Sequence, residues 1–148
     1  MMAELHPFFV HFPIALILVA SGFDLFAVLW KHAASIKVAL ILQVIAAVSS
    51  ILVALSGNQA ELSVTGEPSL TQYVDEALQT HVTFGNASIW IMVLFVLGRS
   101  IAILEKRPWA QEGWIFPGIS FSLAILIMVT GLYGGALSRE ILQYYITH

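Results

Sequence analysis

Long apolar runs separated by shorter polar stretches dominate the pattern along the chain. An α-helix needs about 20 mostly apolar residues to cross roughly 30 Å of hydrocarbon, and four runs meet this requirement. The runs extend from Phe8 to Trp30, from Ile36 to Gly57, from about His81 to Leu104 and from Trp114 to Ala136. We therefore expect four transmembrane helices.

The polar stretches between the runs determine the expected topology. The first and third are short, and helices joined in this way are normally antiparallel neighbours. In the longer second stretch, apolar residues recur every four positions and predict an amphipathic interfacial helix over about 69–80. The tail predicts a second one over about 138–148. The expected fold class is an all-α membrane protein, a single domain (1–148) built as an antiparallel four-helix transmembrane bundle with short amphipathic interfacial helices.

The composition agrees with a membrane protein and excludes several classes of function. Apolar residues make up 59% of the chain and charged residues only 10%, against about 25% charged residues in typical soluble domains. With a net charge of −3, no basic stripe neutralises phosphates, so nucleic-acid binding is not expected. The chain has no cysteine, which excludes disulfides, thiolate metal sites, covalently attached haem and cysteine catalysis.

The positive charges are distributed unequally between the two ends of the expected bundle. Only Arg139 lies at the end that carries the termini and the 58–80 loop. The others lie at or near the two short loops and are Lys31, Lys37, Arg99, Lys106 and Arg107. Because short loops rich in Lys and Arg stay in the cytoplasm, we expect both short loops there. In a bacterium, this makes the chain a multi-pass protein of the inner membrane. Both termini and the 58–80 loop are then outside.

Two charged residues lie within the expected spans rather than at their ends. Asp24 is about two helical turns from the cytoplasmic end of the first span, and Arg99 lies at a similar depth in the third. A charge in hydrocarbon is costly unless it faces the bundle interior and finds a partner. We expect a structural ion pair between them, with a proton-relay role as the alternative.

Three of the histidines converge on the outer end of the expected bundle. His6 and His11 precede and begin the first span and His81 begins the third, so the antiparallel topology brings all three to one membrane face. Five residues of regular helix rotate a side chain by about 140°. His6 and His11 therefore point the same way only if Pro13 kinks the early helix.

Three interpretations of this histidine group remain open. His11 and His81 are typical of an axial pair for a b-type haem held between helices, with His6 as a propionate partner or alternative ligand. Alternatively, all three imidazoles bind one zinc or copper ion. In the third interpretation, they only form hydrogen bonds near the lipid headgroups.

Segments that contain glycine add weaker signals near the histidines. Segment 57–60 is expected to cap the second span or to form hydrogen bonds around the site. Gly131, Gly134 and Gly135 permit close approach of the fourth span to a neighbouring helix or a cofactor. Because no nucleophile, base and oxyanion site can be assembled, a redox or structural subunit is more strongly indicated than an independent enzyme.

The run His-Pro-Phe-Phe-Val-His-Phe-Pro from His6 to Pro13, followed by Asp24, resembles the opening of a family of bacterial four-helix membrane proteins. This family is domain-of-unknown-function family twenty-two thirty-one, and the resemblance covers nearly the whole chain. Further matches are Gly57-Asn58-Gln59-Ala60-Glu61, His81, and Gly131 with Gly134-Gly135. Many members have His-Glu where this chain has His81-Val82. Some relatives are joined to Rieske or cytochrome c domains, which implies a redox setting.

The expected function is a haem b-binding subunit that passes electrons between quinone and a carrier at the outer face. Besides the lipid bilayer, quinone and other membrane or periplasmic redox subunits are the expected partners, and an oligomer is compatible with the sequence. The alternative is a non-redox structural or assembly subunit, with or without a three-histidine zinc or copper site at His6, His11 and His81.

Overall fold

The computed structural model describes residue 6, residues 8–64 and residues 72–147. Its main helices are α1 (His11–Leu29), α2 (Ala33–Val64), α3 (Gln72–Leu104), α4 (Pro108–Glu112) and α5 (Ile115–Thr147). In this described part of the chain, four helices, all but α4, are long and apolar enough to cross a membrane.

The four long helices form an antiparallel bundle, as the sequence predicts. α1 packs against α2 and α5, and α3 packs against the same two helices, so α1 and α3 stand at opposite corners. Both α1 and α3 begin at one end of the bundle, which we call the cavity end. The opposite end, the loop end, carries the connection 30–32 and the segment 105–114.

The interior of the bundle is narrow, whereas its outer surface is broad and apolar. A central cluster, which we call the apolar layer, consists of Ile17, Ala46, Ala47, Met92, Leu123 and Ala124. Large apolar side chains point outwards instead, and Leu94 and Leu132 remain 66% and 68% exposed. Such a surface is suited to lipid rather than water. The protein is therefore a multi-pass membrane protein.

Helix α2 continues through segment 57–60, where the sequence indicates a helix end, and reaches Val64. The expected cap is therefore wrong. Gly57 serves close packing instead, because a Cβ added there would come within 3.0 Å of Cε1 of His6. A glycine required by a neighbouring ring has the same sequence signature as one that ends a helix.

The two segments expected as separate interfacial helices are continuous with the spans. α3 already begins at Gln72 and α5 runs on to Thr147, while residues 69–71 and residue 148 lie outside the described residues. Leu78 of α3 and Leu137 of α5 are buried in one small cluster. This contact extends the bundle at the cavity end, which explains why the helices do not break there.

A short helix that the sequence pattern does not predict, α4, fills the loop end. Pro108 occupies its first turn, where the missing backbone N–H breaks no helical hydrogen bond. The ring of Trp109 stacks on Phe116 with centroids 5.5 Å apart. The following turn requires Gly113, because a Cβ there would lie 2.5 Å from the Trp109 carbonyl oxygen.

Both hairpin connections at the loop end contain a lysine in the left-handed region. Lys31 has φ 49° and Lys106 has φ 53°. In each connection the next residue donates its N–H to a carbonyl five residues back, His32 to Ala27 and Arg107 to Ala102, both at 3.0 Å. This is the six-to-one bond of a Schellman motif, a helix ending that normally has glycine at the left-handed position.

Replacement of Lys31 by glycine should stabilise the protein. Left-handed backbone costs a non-glycine residue roughly 1–2 kcal/mol, so Lys31→Gly should raise the free energy of unfolding in detergent by up to about 1 kcal/mol. The control is Lys37→Gly, in the exposed interior of α2, which should lower it by about 1 kcal/mol. Effects of the same sign for the two variants would contradict this account.

Candidate functional site

A buried ion pair joins opposite corners of the bundle near the loop end. Arg99 and Asp24 form the expected pair in bidentate geometry, with Nη2 donating to Oδ1 at 2.5 Å and Nη1 donating to Oδ2 at 2.6 Å. The side chains are only 2% and 1% exposed. A charge-assisted, bidentate contact is the strongest hydrogen-bonding arrangement available to these groups.

Two neutral side chains join the ion pair in a buried polar quartet, which we define as Asp24, Gln43, Arg99 and Ser120; the hydroxyl of Ser21 also lies 2.9 Å from that of Ser120. Gln43 donates through Nε2 to Asp24 Oδ2 at 2.8 Å and to Ser120 Oγ at 3.0 Å. It also accepts from Arg99 Nη1 at 2.9 Å. The quartet takes one residue from each long helix, so it fixes the register of all four.

The sequence analysis missed Gln43 and Ser120. An amide in the middle of an apolar span is a usable signal, because an unsatisfied amide in hydrocarbon costs several kcal/mol. Ser120 carries no such signal, since a serine in a membrane helix usually bonds back to a carbonyl of its own helix. Ser50 and Ser88, for example, do so in this chain.

A second polar region surrounds a cavity of about 630 Å³ at the cavity end. Its walls come from all four long helices and are mainly apolar, with Ile14, Ala54, Ile89 and Ile127 among the lining residues. The volume lies within the range of about 300–1,000 Å³ that is typical of ligand and cofactor sites. His6, His11 and His81 all line this cavity.

His6 is held in one orientation by a neighbouring hydroxyl. Its Nδ1 lies 2.9 Å from Ser56 Oγ, and Ser56 donates its own proton to the Val53 carbonyl at 3.0 Å. Ser56 therefore accepts from Nδ1–H, which leaves Nε2 with its lone pair. Burial lowers the pKa of His6, and the nearby His81 lowers it further, against the opposite effect of the Val53 carbonyl. The ring is thus held in the neutral form that binds metals.

His81 occupies a similar half-buried position on α3. Its Nδ1 is buried and has no hydrogen-bond partner among the described residues. The ring lies against Gly134 of α5, where an added Cβ would be 2.6 Å from Cε1 of the imidazole. The Thr130 carbonyl of α5 nevertheless lies close enough to interact with the imidazole.

His11 is placed differently from the other two. The backbone at Val10 is helical (φ −63°, ψ −27°), and its N–H donates to the His6 carbonyl at 3.1 Å. Five helical residues rotate the His11 side chain by about 140° from that of His6. The side chain of His11 lines the cavity but is exposed, whereas that of His6 is half-buried. The two imidazoles thus have different environments.

The three histidines do not form a common metal site. Within the described ranges 8–64 and 72–147 and at residue 6, no group of three or more His, Cys, Asp or Glu side chains is arranged to hold a metal ion. The expected three-histidine zinc or copper set at His6, His11 and His81 is therefore not assembled. His11 is exposed, whereas His6 and His81 are half-buried.

A protein-family model with the description "Predicted membrane protein (DUF2231)" matches residues 3–143. The chain belongs to the DUF2231 family. No curated protein and no solved structure matches it. The family assignment confirms the resemblance noted from the sequence. In this DUF2231 chain, the residues that carried the resemblance surround either the cavity, as His6, Gly57, His81 and Gly134 do, or the ion pair, as Asp24 does.

The fit between Gly134 and His81 can be tested with its neighbour as a control. Gly134→Ala should lower the free energy of unfolding by roughly 1–3 kcal/mol, because the added methyl group displaces the ring from a packed position. Gly135→Ala should raise it by up to about 1 kcal/mol, since its Cβ would meet no described atom within 4 Å. If denaturant titrations in detergent micelles give the two variants the same change in the free energy of unfolding, this packing is contradicted.

Proposed function

We propose that this protein binds a b-type haem in the cavity and serves as an electron-transfer subunit of the membrane. One observation carries the proposal. Imidazoles from two separate helical segments, His6 and His81, flank one mainly apolar cavity, and both lie against glycines of the neighbouring helices. Paired imidazoles between helices of a bundle are a common way to ligate haem iron without cysteine.

The chemistry of the donor groups fits such a ligand. His6 presents a free Nε2 because its Nδ1–H is taken by Ser56, the second hydrogen bond that metal-binding histidines normally make. His81 lines the same cavity, with its ring against Gly134 and beside the Thr130 carbonyl. Asn58 and Ser138 are polar residues of the lining that can donate to propionate carboxylates.

The protein side of the function follows from these placements. His81 would hold the iron from one side, and an imidazole of the N-terminal segment, His6 or His11, from the other. The apolar walls exclude water and thereby favour the iron state of lower charge. When bound, the haem supplies a one-electron redox couple, and the chain's residues orient and insulate it.

We assign the cavity end to the outer face of the bacterial cytoplasmic membrane. The support is the excess of Lys and Arg at the loop end, where Lys31, Lys37, Lys106 and Arg107 lie. A haem at that depth can exchange electrons with quinone in the bilayer and with a carrier outside. Other membrane or periplasmic redox subunits are the partners that this arrangement requires.

The test is the absorbance of the full chain purified after expression with ample haem. The wild type should show a Soret band and about one iron per chain, His81→Ala should lose both, and the control His32→Ala should keep both. His32 lies at the loop end and bonds Ser35 at 2.8 Å. A wild type without a Soret band would overturn the haem proposal.

The same preparation distinguishes the alternative. Zinc or copper in place of iron by elemental analysis would favour a non-redox subunit with a small metal site. A protein that carries neither haem nor metal would favour a purely structural or assembly role.

A further inference from the structure

The burial pattern of α1 recurs on α3 at one constant spacing. Asp24 and Arg99 are 75 residues apart. The buried residues of α1 are Pro13, Ile17, Ala20, Ser21, Asp24 and Ala27. Between His81 and Leu104, the buried residues of α3 are Ser88, Met92, Phe95, Val96, Arg99 and Ala102. Each buried position of α1 has its counterpart at the same spacing, although most residue types differ.

A second constant spacing relates α2 to α5. Gln43 and Ser120 are 77 residues apart. At this spacing the buried residues Ala39, Ala46 and Ala47 of α2 correspond to the buried residues Phe116, Leu123 and Ala124 of α5. The slightly larger offset is taken up in the segment 105–114, where α4 and Gly113 precede α5. The polar quartet thus consists of two equivalent pairs, Asp24 with Arg99 and Gln43 with Ser120.

The connections and the packing follow the same relation. α1 ends at Leu29 and α3 at Leu104, and the left-handed lysines Lys31 and Lys106 follow at matching distances. The contact of α1 with α5 is the counterpart of the contact of α3 with α2. These contacts between the hairpins are the ones that a two-fold rotation about the bundle axis generates. Within the hairpins, α1 packs more extensively against α2 than α3 does against α5.

The relation extends to the cavity. His6 and His81 are related by the spacing that relates α1 to α3. Their rings lie against Gly57 and Gly134, which are related by the spacing between α2 and α5. The carbonyl of Val53 lies beside His6 and that of Thr130 beside His81, again an equivalent pair. His11 differs, because its counterpart is Asn86.

We infer that the chain is two tandem copies of one helical hairpin related by a two-fold axis, and that the cavity's ligand is bound on this axis by His6 and His81. Such a site presents the same imidazole and glycine to each side of its ligand. It therefore suits a planar metal macrocycle with two equivalent faces. The identity of the ligand rests on the proposed function, whereas the repeat does not. His11 lines the rim and is not an axial ligand.

The ligand assignment is tested with four histidine variants loaded with haem. His6→Gly and His81→Gly should each lose the low-spin spectrum, and free imidazole should restore it by filling the space of the missing ring. His11→Gly, which removes an imidazole that lines the same cavity, should retain the low-spin spectrum, and the control His32→Gly at the loop end should leave it unchanged. Loss of the spectrum in His11→Gly, or its retention in His6→Gly, would overturn the assignment.

The repeat is tested separately, by a measurement that needs no cofactor. Asp24→Arg alone and Arg99→Asp alone should each reduce the folding equilibrium constant about tenfold or more, because each variant buries two like charges side by side. The fourfold exchange combines Asp24→Arg and Arg99→Asp with Gln43→Ser and Ser120→Gln. Each side chain of the quartet then occupies the position that the two-fold axis relates to its own. The fourfold variant should recover most of the folded fraction, measured by gel filtration and circular dichroism in detergent.

The control exchange keeps the same residue types but uses positions that the axis does not relate. Arg99→Ser combined with Ser120→Arg should remain as poorly folded as the single variants. If the fourfold exchange is no better than this control, the two-fold relation is wrong. If the fourfold variant folds but neither the wild type nor any variant binds haem, the haem assignment is wrong and the two-fold repeat stands.

Discussion

The ion pair between Asp24 and Arg99 is the constraint on which the rest of the bundle depends. Inside a bilayer no water solvates a separated carboxylate or guanidinium, so any arrangement of helices that parts these charges is strongly disfavoured. Apolar contacts alone specify little in a membrane, because lipid tails are as apolar as the helix surfaces. The pair and its two neutral neighbours provide the directional contacts that fix depth and rotation for all four long helices.

The two polar regions of the molecule are satisfied to different degrees. In the quartet, each oxygen of Asp24 and both terminal nitrogens of Arg99 have a partner within the chain, which is the signature of a structural element. Around the cavity, His6 has one free ring nitrogen and His81 a buried nitrogen without a described partner. The quartet also has one such atom, Arg99 Nε, but its other charged atoms are paired within the chain, whereas the histidines line an open cavity.

Much of the fold follows from the sequence, and the failures have physical causes. Apolar runs of membrane length and the depth of Asp24 and Arg99 were sufficient for the spans and the ion pair. The helix end predicted at segment 57–60 was wrong, because the sequence does not distinguish a glycine that packs against an imidazole ring from one that ends a helix. α4 depends on Trp109 stacking on Phe116, a contact that no periodicity encodes. The different surroundings of His6 and His11 agree with the rotation of about 140° that five helical residues impose, since the Val10 backbone between them is helical.

The apolar layer between the quartet and the cavity has an electrical consequence. Its members include Ile17 and Met92, both fully buried. They lie between the quartet and the cavity, and Met92 itself lines the cavity. Side chains packed this closely leave no room for a file of water molecules, and protons move through membranes along such files. We therefore expect the bundle to conduct protons poorly along its length, so that the cavity is electrically separated from the loop end.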